Sequence, residues 1–153
     1  MLDKFFLCKV AYDKLFEDGK VKREREEYVV RAISFTEAEG RVVEKVKEYI
    51  RGEFEVTNIR KMNLWDLYDF GEGDCWYRCK VNMLDFDEEK QVEKRRAVTI
   101  LAHAGSAREA SDVVVKGLSG TLISNYEIHS VVETAILDVL KDVAPVATKV
   151  VAE

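Results

Sequence analysis

The stretch Tyr126–Leu140, YEIHSVVETAILDVL, decides the fold, because an earlier stretch, Phe54–Tyr68, FEVTNIRKMNLWDLY, is its counterpart. At a constant offset of 72 positions Glu55 meets Glu127 and Asp66 meets Asp138. Phe54, Val56, Ile59 and Leu64 likewise meet Tyr126, Ile128, Val131 and Ile136. A register held over this length reads as one unit written twice, and a repeat of that size sets the architecture before any local pattern is weighed.

Upstream of each copy the same signals recur. Ser34-Phe-Thr-Glu37 and Ser106-Ala-Arg-Glu109 both fit a capping box, in which Ser and Glu satisfy free amides where a helix starts. After the first, Phe35, Ala38, Val42, Val46, Tyr49 and Ile50 form an apolar stripe at helical spacing that ends at Gly52. After the second, Ala110, Val114 and Leu118 hold the matching places, and Gly117 and Gly120 weaken that helix end by roughly 1 kcal/mol each relative to Ala.

Each helix is preceded by two strands. Residues 5–13, FFLCKVAYD, alternate with Phe6, Cys8, Val10 and Tyr12 on one face, and Cys79-Lys80-Val81 repeats Cys8-Lys9-Val10 within Trp76–Met83. Asp18-Gly19 signals a hairpin turn, with Val21–Ile33 as the return strand. Asp85–Lys90 is the second turn and Val92–His103 its return. The last strand of the first unit, from Phe54 to about Tyr68, changes phase near Asn58.

The expected fold is therefore α+β: two tandem ββαβ units, residues 1–70 and 71–153, joined by a connector at 69–74 (DFGEGD). One helix covers one face of each antiparallel sheet, so the units are expected to pair about a pseudo-twofold axis. The alternative is two independent domains on a linker. The tail after Pro145 is expected to fray.

Composition bounds the function. With 47% hydrophobic and 35% charged residues the chain reads as a soluble globular protein, and a formal charge of −5 offers no global field for a polyanion. No window approaches the ~18 apolar residues of a membrane helix. Three cysteines without a preceding signal peptide suggest a reducing cytoplasm.

The runs SFTEAE (34–39), GEFEVTNI (52–59), NYEI (125–128) and ETAILDV (133–139) resemble those of an uncharacterised domain-of-unknown-function family of about this chain's length. That family occurs in Bacteroidetes-type bacteria, their mobile elements and their phages. The resemblance implies a small intracellular protein carried with phage or integrated-element genes. It carries no catalytic residues to transfer.

Catalytic chemistry finds little support. Cys75 and Cys79 on one strand stand roughly 13 Å apart, too far to share a zinc ion. Cys8 and Cys79 read as buried thiols. His103 and His129 have no recognisable nucleophile beside them. Asp66 and Asp138 could form a symmetric carboxylate pair or merely cap strands, and Gly71-Glu-Gly73 lacks the features of a phosphate loop. No enzyme activity, metal or cofactor is expected.

A nucleic-acid reading has more to work with. Phe5 and Lys9 in the first unit, and Trp76, Arg78 and Lys80 in the second, place aromatic rings beside cations on one sheet face, a platform for unpaired bases. The hairpin arms add Lys20, Lys22, Arg23 and Arg25, then Lys90, Lys94, Arg95 and Arg96. Glutamates interleave with these cations, as on a solvated arm that guards a strand edge. The alternative is a protein-interaction or structural role, in which the arms and strand edges engage a partner or a second copy. A small nucleotide held in a cleft is a third class that no particular residue supports.

Overall fold

A computed structural model describes residues 4–141. The order is β1 (Lys4–Leu15), β2 (Val21–Ala32), α1 (Phe35–Val46), β3 (Phe54–Met62), β4 (Asp66–Tyr68), β5 (Cys75–Asp87), β6 (Val92–Ala104), α2 (Ala107–Ser119), β7 (Tyr126–Glu133) and β8 (Ile136–Leu140). The fold is α+β and the duplicated ββαβ order holds. The proposed fraying of the tail after Pro145 falls outside the described residues.

The local signals act as read. Phe16 N donates to Lys20 O and Gly19 N to Phe16 O, both at 2.9 Å, around a Gly19 whose φ of +85° suits a residue without a side chain. The second hairpin has no such glycine; Asp87 Oδ1 there accepts from Glu89 N and Lys90 N. Ser34 Oγ accepts from Glu37 N at 3.1 Å, and Ser106 Oγ from Glu109 N at 3.2 Å. Each Glu reaches back to the amide of the residue before the cap, Ile33 at 2.8 Å and Gly105 at 3.0 Å.

Two sheets form, ordered β3-β1-β2-β8 and β4-β6-β5-β7. The first unit comprises residues 4–63 and 136–141, the second residues 64–135. Unit boundaries thus depart from the repeat as written, which runs 1–70 and 71–153. The break falls at Asn63–Trp65 and again at Thr134–Ala135, so each final strand splits and its second part joins the other sheet. Both joining strands run parallel to their neighbour, β8 to β2 and β4 to β6, which makes each sheet mixed instead of wholly antiparallel.

The phase change near Asn58 is a β-bulge. Lys9 pairs with Asn58 while Val10 pairs with Val56, leaving Thr57 as the extra residue. The same slip between Lys80 and Val81 leaves out His129, again 72 positions later.

Each sheet buries one face under its helix. In the first unit Phe6, Cys8, Val10, Tyr28 and Val30 pack with Ala38, Val42 and Val46 of α1. In the second, Tyr77, Cys79, Val81, Ile100 and Ala102 pack with Ala110, Val114 and Leu118 of α2. At about 25 cal/mol per Å² of apolar area removed from water, these stripes are the main favourable term. They also fix which residues of β1, β2, β5 and β6 face away from the helices.

Candidate nucleic-acid interface

Because paired antiparallel residues share a face, strand register sorts every expected contact residue. On the face of the first sheet turned away from α1, buried Leu7, Ala11 and Val29 are accompanied by Phe5, Lys9, Arg23, Arg25, Arg31 and Arg60, with Asp13, Glu27 and Glu55 among them. Cations outnumber carboxylates on this face of an acidic protein. Phe5 is half-buried, opposite Arg31 and beside Met62. Lys9 is exposed in mid-strand, opposite Asn58 at the bulge.

Arm residues divide by their partners. Arg23 bonds Glu55 and reaches Asp13 at 3.5 Å. Lys22 sits 5.2 Å from the Phe16 ring centre, with Lys14 at 5.4 Å from the same ring. Lys20 lies in the turn and Arg25 is exposed opposite Ala11. In the second unit Lys94 pairs with Asp87 at 3.2 Å and Arg95 with Glu127 at 2.7 Å. Arg96 is exposed opposite Met83.

Trp76 occupies a different setting from an open platform. It is only 6% exposed, and its ring stacks on His103 with centres 4.7 Å apart. Nδ1 of His103 in turn lies 3.1 Å from Gly71 O, which ties the connector to the end of β6. Gly71 and Gly73 are needed for this close approach: a Cβ on Gly71 would fall 2.0 Å from His103 O, and one on Gly73 2.4 Å from Gly105 N. Trp76 is therefore not an open ring for stacking bases. Arg78 and Lys80 remain exposed on the strand beyond it.

Cations with no carboxylate within 4.0 Å among the described residues include Lys9, Lys20, Lys22, Arg25 and Arg60 in the first unit, and Arg78, Lys80 and Arg96 in the second. Lys9 and Lys80 are repeat equivalents, both on the face away from the helix and both at the bulge. Arg60 was not singled out by sequence reading. Its alternation with Asn58 and Met62 was the available signal, but the second repeat has Val132 in that place.

The thiols are held in their protonated form. Burial, with the charge of Glu39 second, pushes the Cys8 thiol up to about 12, and burial pushes Cys79 up to about 11. Cys75 donates to Glu133 at 3.4 Å, and that bond raises its pKa. Thiols held protonated are poor nucleophiles and poor ligands. Among the described residues no group of three or more His, Cys, Asp and Glu is arranged to hold a metal ion. Asp66 and Asp138 do the same local job, each accepting from the next amide, Leu67 N or Val139 N, at 2.8 Å.

A family model described as a domain of unknown function, DUF4494, matches residues 4–142. The chain belongs to the DUF4494 family. The match spans both repeats, so a DUF4494 domain contains the whole duplicated unit and not one copy of it. No curated protein matches the chain. No helix among the described residues is long and apolar enough to cross a membrane.

Proposed function

We propose that this DUF4494 protein is a non-enzymatic binder of single-stranded nucleic acid, which it holds mainly by the phosphate backbone on the sheet faces turned from the helices. The observation that carries this reading is the repeat-related pair Lys9 and Lys80, with unpaired Arg25 and Arg60 on the face of the first and Arg78 on the face of the second. Phosphate contacts by Lys and Arg supply most of the non-specific affinity for nucleic acid and need no strongly basic protein, only a local excess. With Trp76 stacked on His103, half-buried Phe5 is the remaining ring for a base. The setting proposed with it, on the resemblance of the sequence, is the cytoplasm of a bacterium carrying phage or integrated elements.

Titration of a fluorescently labelled single-stranded oligonucleotide at two salt concentrations tests the proposal. Binding should weaken as salt rises, with log affinity falling by about 0.7 per phosphate contact for each unit of log salt. Lys9→Ala with Arg25→Ala, and separately Arg78→Ala with Lys80→Ala, should lower both affinity and slope. No binding at micromolar protein in low salt would overturn it.

The second reading, a protein-interaction module that engages a partner or a second copy, is favoured by the hairpin tips. Leu15 and Val21 face each other across the first arm at 70% and 61% exposure, and Phe86 on the second arm is 54% exposed. Apolar pairs at the ends of long arms suit contact with another protein surface. Mass in solution tests the self-associating form: it predicts dimers or larger assemblies that Leu15→Asp and Phe86→Asp dissolve, and a monomer at all concentrations contradicts it.

A further inference from the structure

The two hairpin arms are repeat counterparts at an offset of 71 positions, and they keep one property while inverting another. Apolar side chains are kept: Leu15 answers to Phe86 and Val21 to Val92, and all four are exposed. Charge is inverted: Lys14 answers to Asp85 and Lys22 to Glu93. None of these four charges has an opposite charge within 4.0 Å among the described residues. In the first arm Lys14 and Lys22 stand directly opposite one another across β1 and β2, where like charges are destabilising. Both lie near the Phe16 ring, at 5.4 and 5.2 Å from its centre. In the second arm Asp85 is opposite Lys94, but Lys94 reaches Asp87 instead, at 3.2 Å. The first arm thus carries cations that lack an anion, and the second carries anions that lack a cation.

Both arms also run past the edge strand of their sheet. β3 pairs with β1 only as far as Tyr12, so the outer edge of Asp13–Leu15 has no strand beside it among the described residues. β7 pairs with β5 only as far as Met83, followed by one backbone bond from Leu84 N to Asn125 O. The outer edge of Asp85–Asp87 is open in the same way. Side chains alternate along these segments, so Leu15 and Lys14 point to opposite faces, as do Phe86 and its neighbours Asp85 and Asp87.

We propose that two copies of this chain associate through unlike arms, with the open edge of Asp13–Leu15 in one copy lying beside the open edge of Asp85–Asp87 in the other. Exposed strand edges join in this manner through main-chain hydrogen bonds, while side chains set the specificity. In the register that sets Leu15 beside Phe86, Lys14 falls beside Asp85 or Asp87 on the opposite face, whichever way the strands run. Two first arms would bring lysines together, and two second arms would bring carboxylates together. Charge therefore selects the unlike pairing and disfavours both like ones. The contact is short, so the association is weak. The proposal rests on the second reading above, deepens it by naming a second copy as the partner, and leaves the nucleic-acid reading untouched.

The test is sedimentation velocity of the full chain up to millimolar protein, at low and high salt. Dimers or larger assemblies are expected, and they should weaken as salt rises. Lys14→Asp gives both arms a carboxylate at this position, and Asp85→Lys gives both a lysine. Each variant alone should associate several-fold more weakly than the native chain. An equimolar mixture of the two should recover the association, because a lysine arm then meets a carboxylate arm. Both positions are exposed, and circular dichroism checks that each variant keeps the native fold. A native chain that stays monomeric throughout would overturn the pairing together with the self-associating form of the second reading. Assembly that both single variants retain in full would overturn the pairing and leave that reading standing. A mixture that fails to recover association would overturn the pairing in the same way.

Discussion

Arg95 Nη1 lies 2.7 Å from Glu127 Oε1, and the same pair stands 72 residues earlier as Arg23 and Glu55. Both pairs tie the return strand of a hairpin arm to the far edge strand of its sheet, across the strand between them. All four side chains are substantially exposed. Such pairs contribute ~0.2–1 kcal/mol, so Glu127→Gln should shift the urea midpoint little. It frees a cation on the proposed interface, however. Oligonucleotide affinity should rise in that variant, most at low salt; an unchanged affinity would place Arg95 outside the interface.

Gly117 offers a sharper stability prediction. Alanine is a better helix former than glycine by about 1 kcal/mol, so Gly117→Ala on an open helix would stabilise. Here the new methyl meets the buried Tyr68 ring, and overpacking of this kind costs about 1–3 kcal/mol. Gly117→Ala should therefore lower the melting temperature in the native background. In a Tyr68→Ala background the same change should raise it, and a thermal double-mutant cycle reads the change of sign.

The two caps are independent sites on separate helices. Ser34→Ala and Ser106→Ala should each cost about 1 kcal/mol, since each removes the acceptor for an amide in the first turn. Denaturant unfolding of the two single variants and the double variant checks both the size and the additivity.

Acid stability should depend on Glu37. A hydrogen bond from Ile33 N, then one from Arg41, holds its carboxyl below the ordinary 4.5. A carboxyl depressed on folding stabilises the folded state above its unfolded pKa, and that contribution is lost as pH falls through the folded pKa. Denaturant midpoints from pH 7 downward should drop below about pH 4.5, and Glu37→Gln should flatten that part of the drop.

Thiol labelling reports the cores directly. Cys8 and Cys79 are buried and held protonated, so a disulfide reagent at neutral pH should reach them only on unfolding. Rapid labelling of either thiol in the native protein would contradict the packing of its sheet against its helix.

Much of the fold was legible because its signals are local. The capping boxes at Ser34 and Ser106, the turn at Asp18-Gly19 and the apolar alternation of Phe6, Cys8 and Val10 all work within a few residues. The slip of phase near Asn58 was also readable, since an inserted residue such as Thr57 changes which side chains point inward. Strand exchange was not legible. Whether β4 pairs with its own repeat or with the other is a choice between two similar apolar edges, and sequence periodicity is the same for both. The site suffered in the same way. Trp76 alternates as an exposed platform residue should, but its stacking on His103 depends on a neighbour across the hairpin, and the pairing of Arg23 with Glu55 on a strand beyond it.

Both sheet edges depend on β8 completing the first sheet and β4 the second. Nuclear Overhauser contacts between backbone protons of strands decide this. The account predicts contacts joining Val29 to Val139 and Leu101 to Leu67, the pairs set by the parallel register. Contacts joining Leu67 or Tyr68 to β2, with β8 on β6, would show each repeat closing on itself and contradict it.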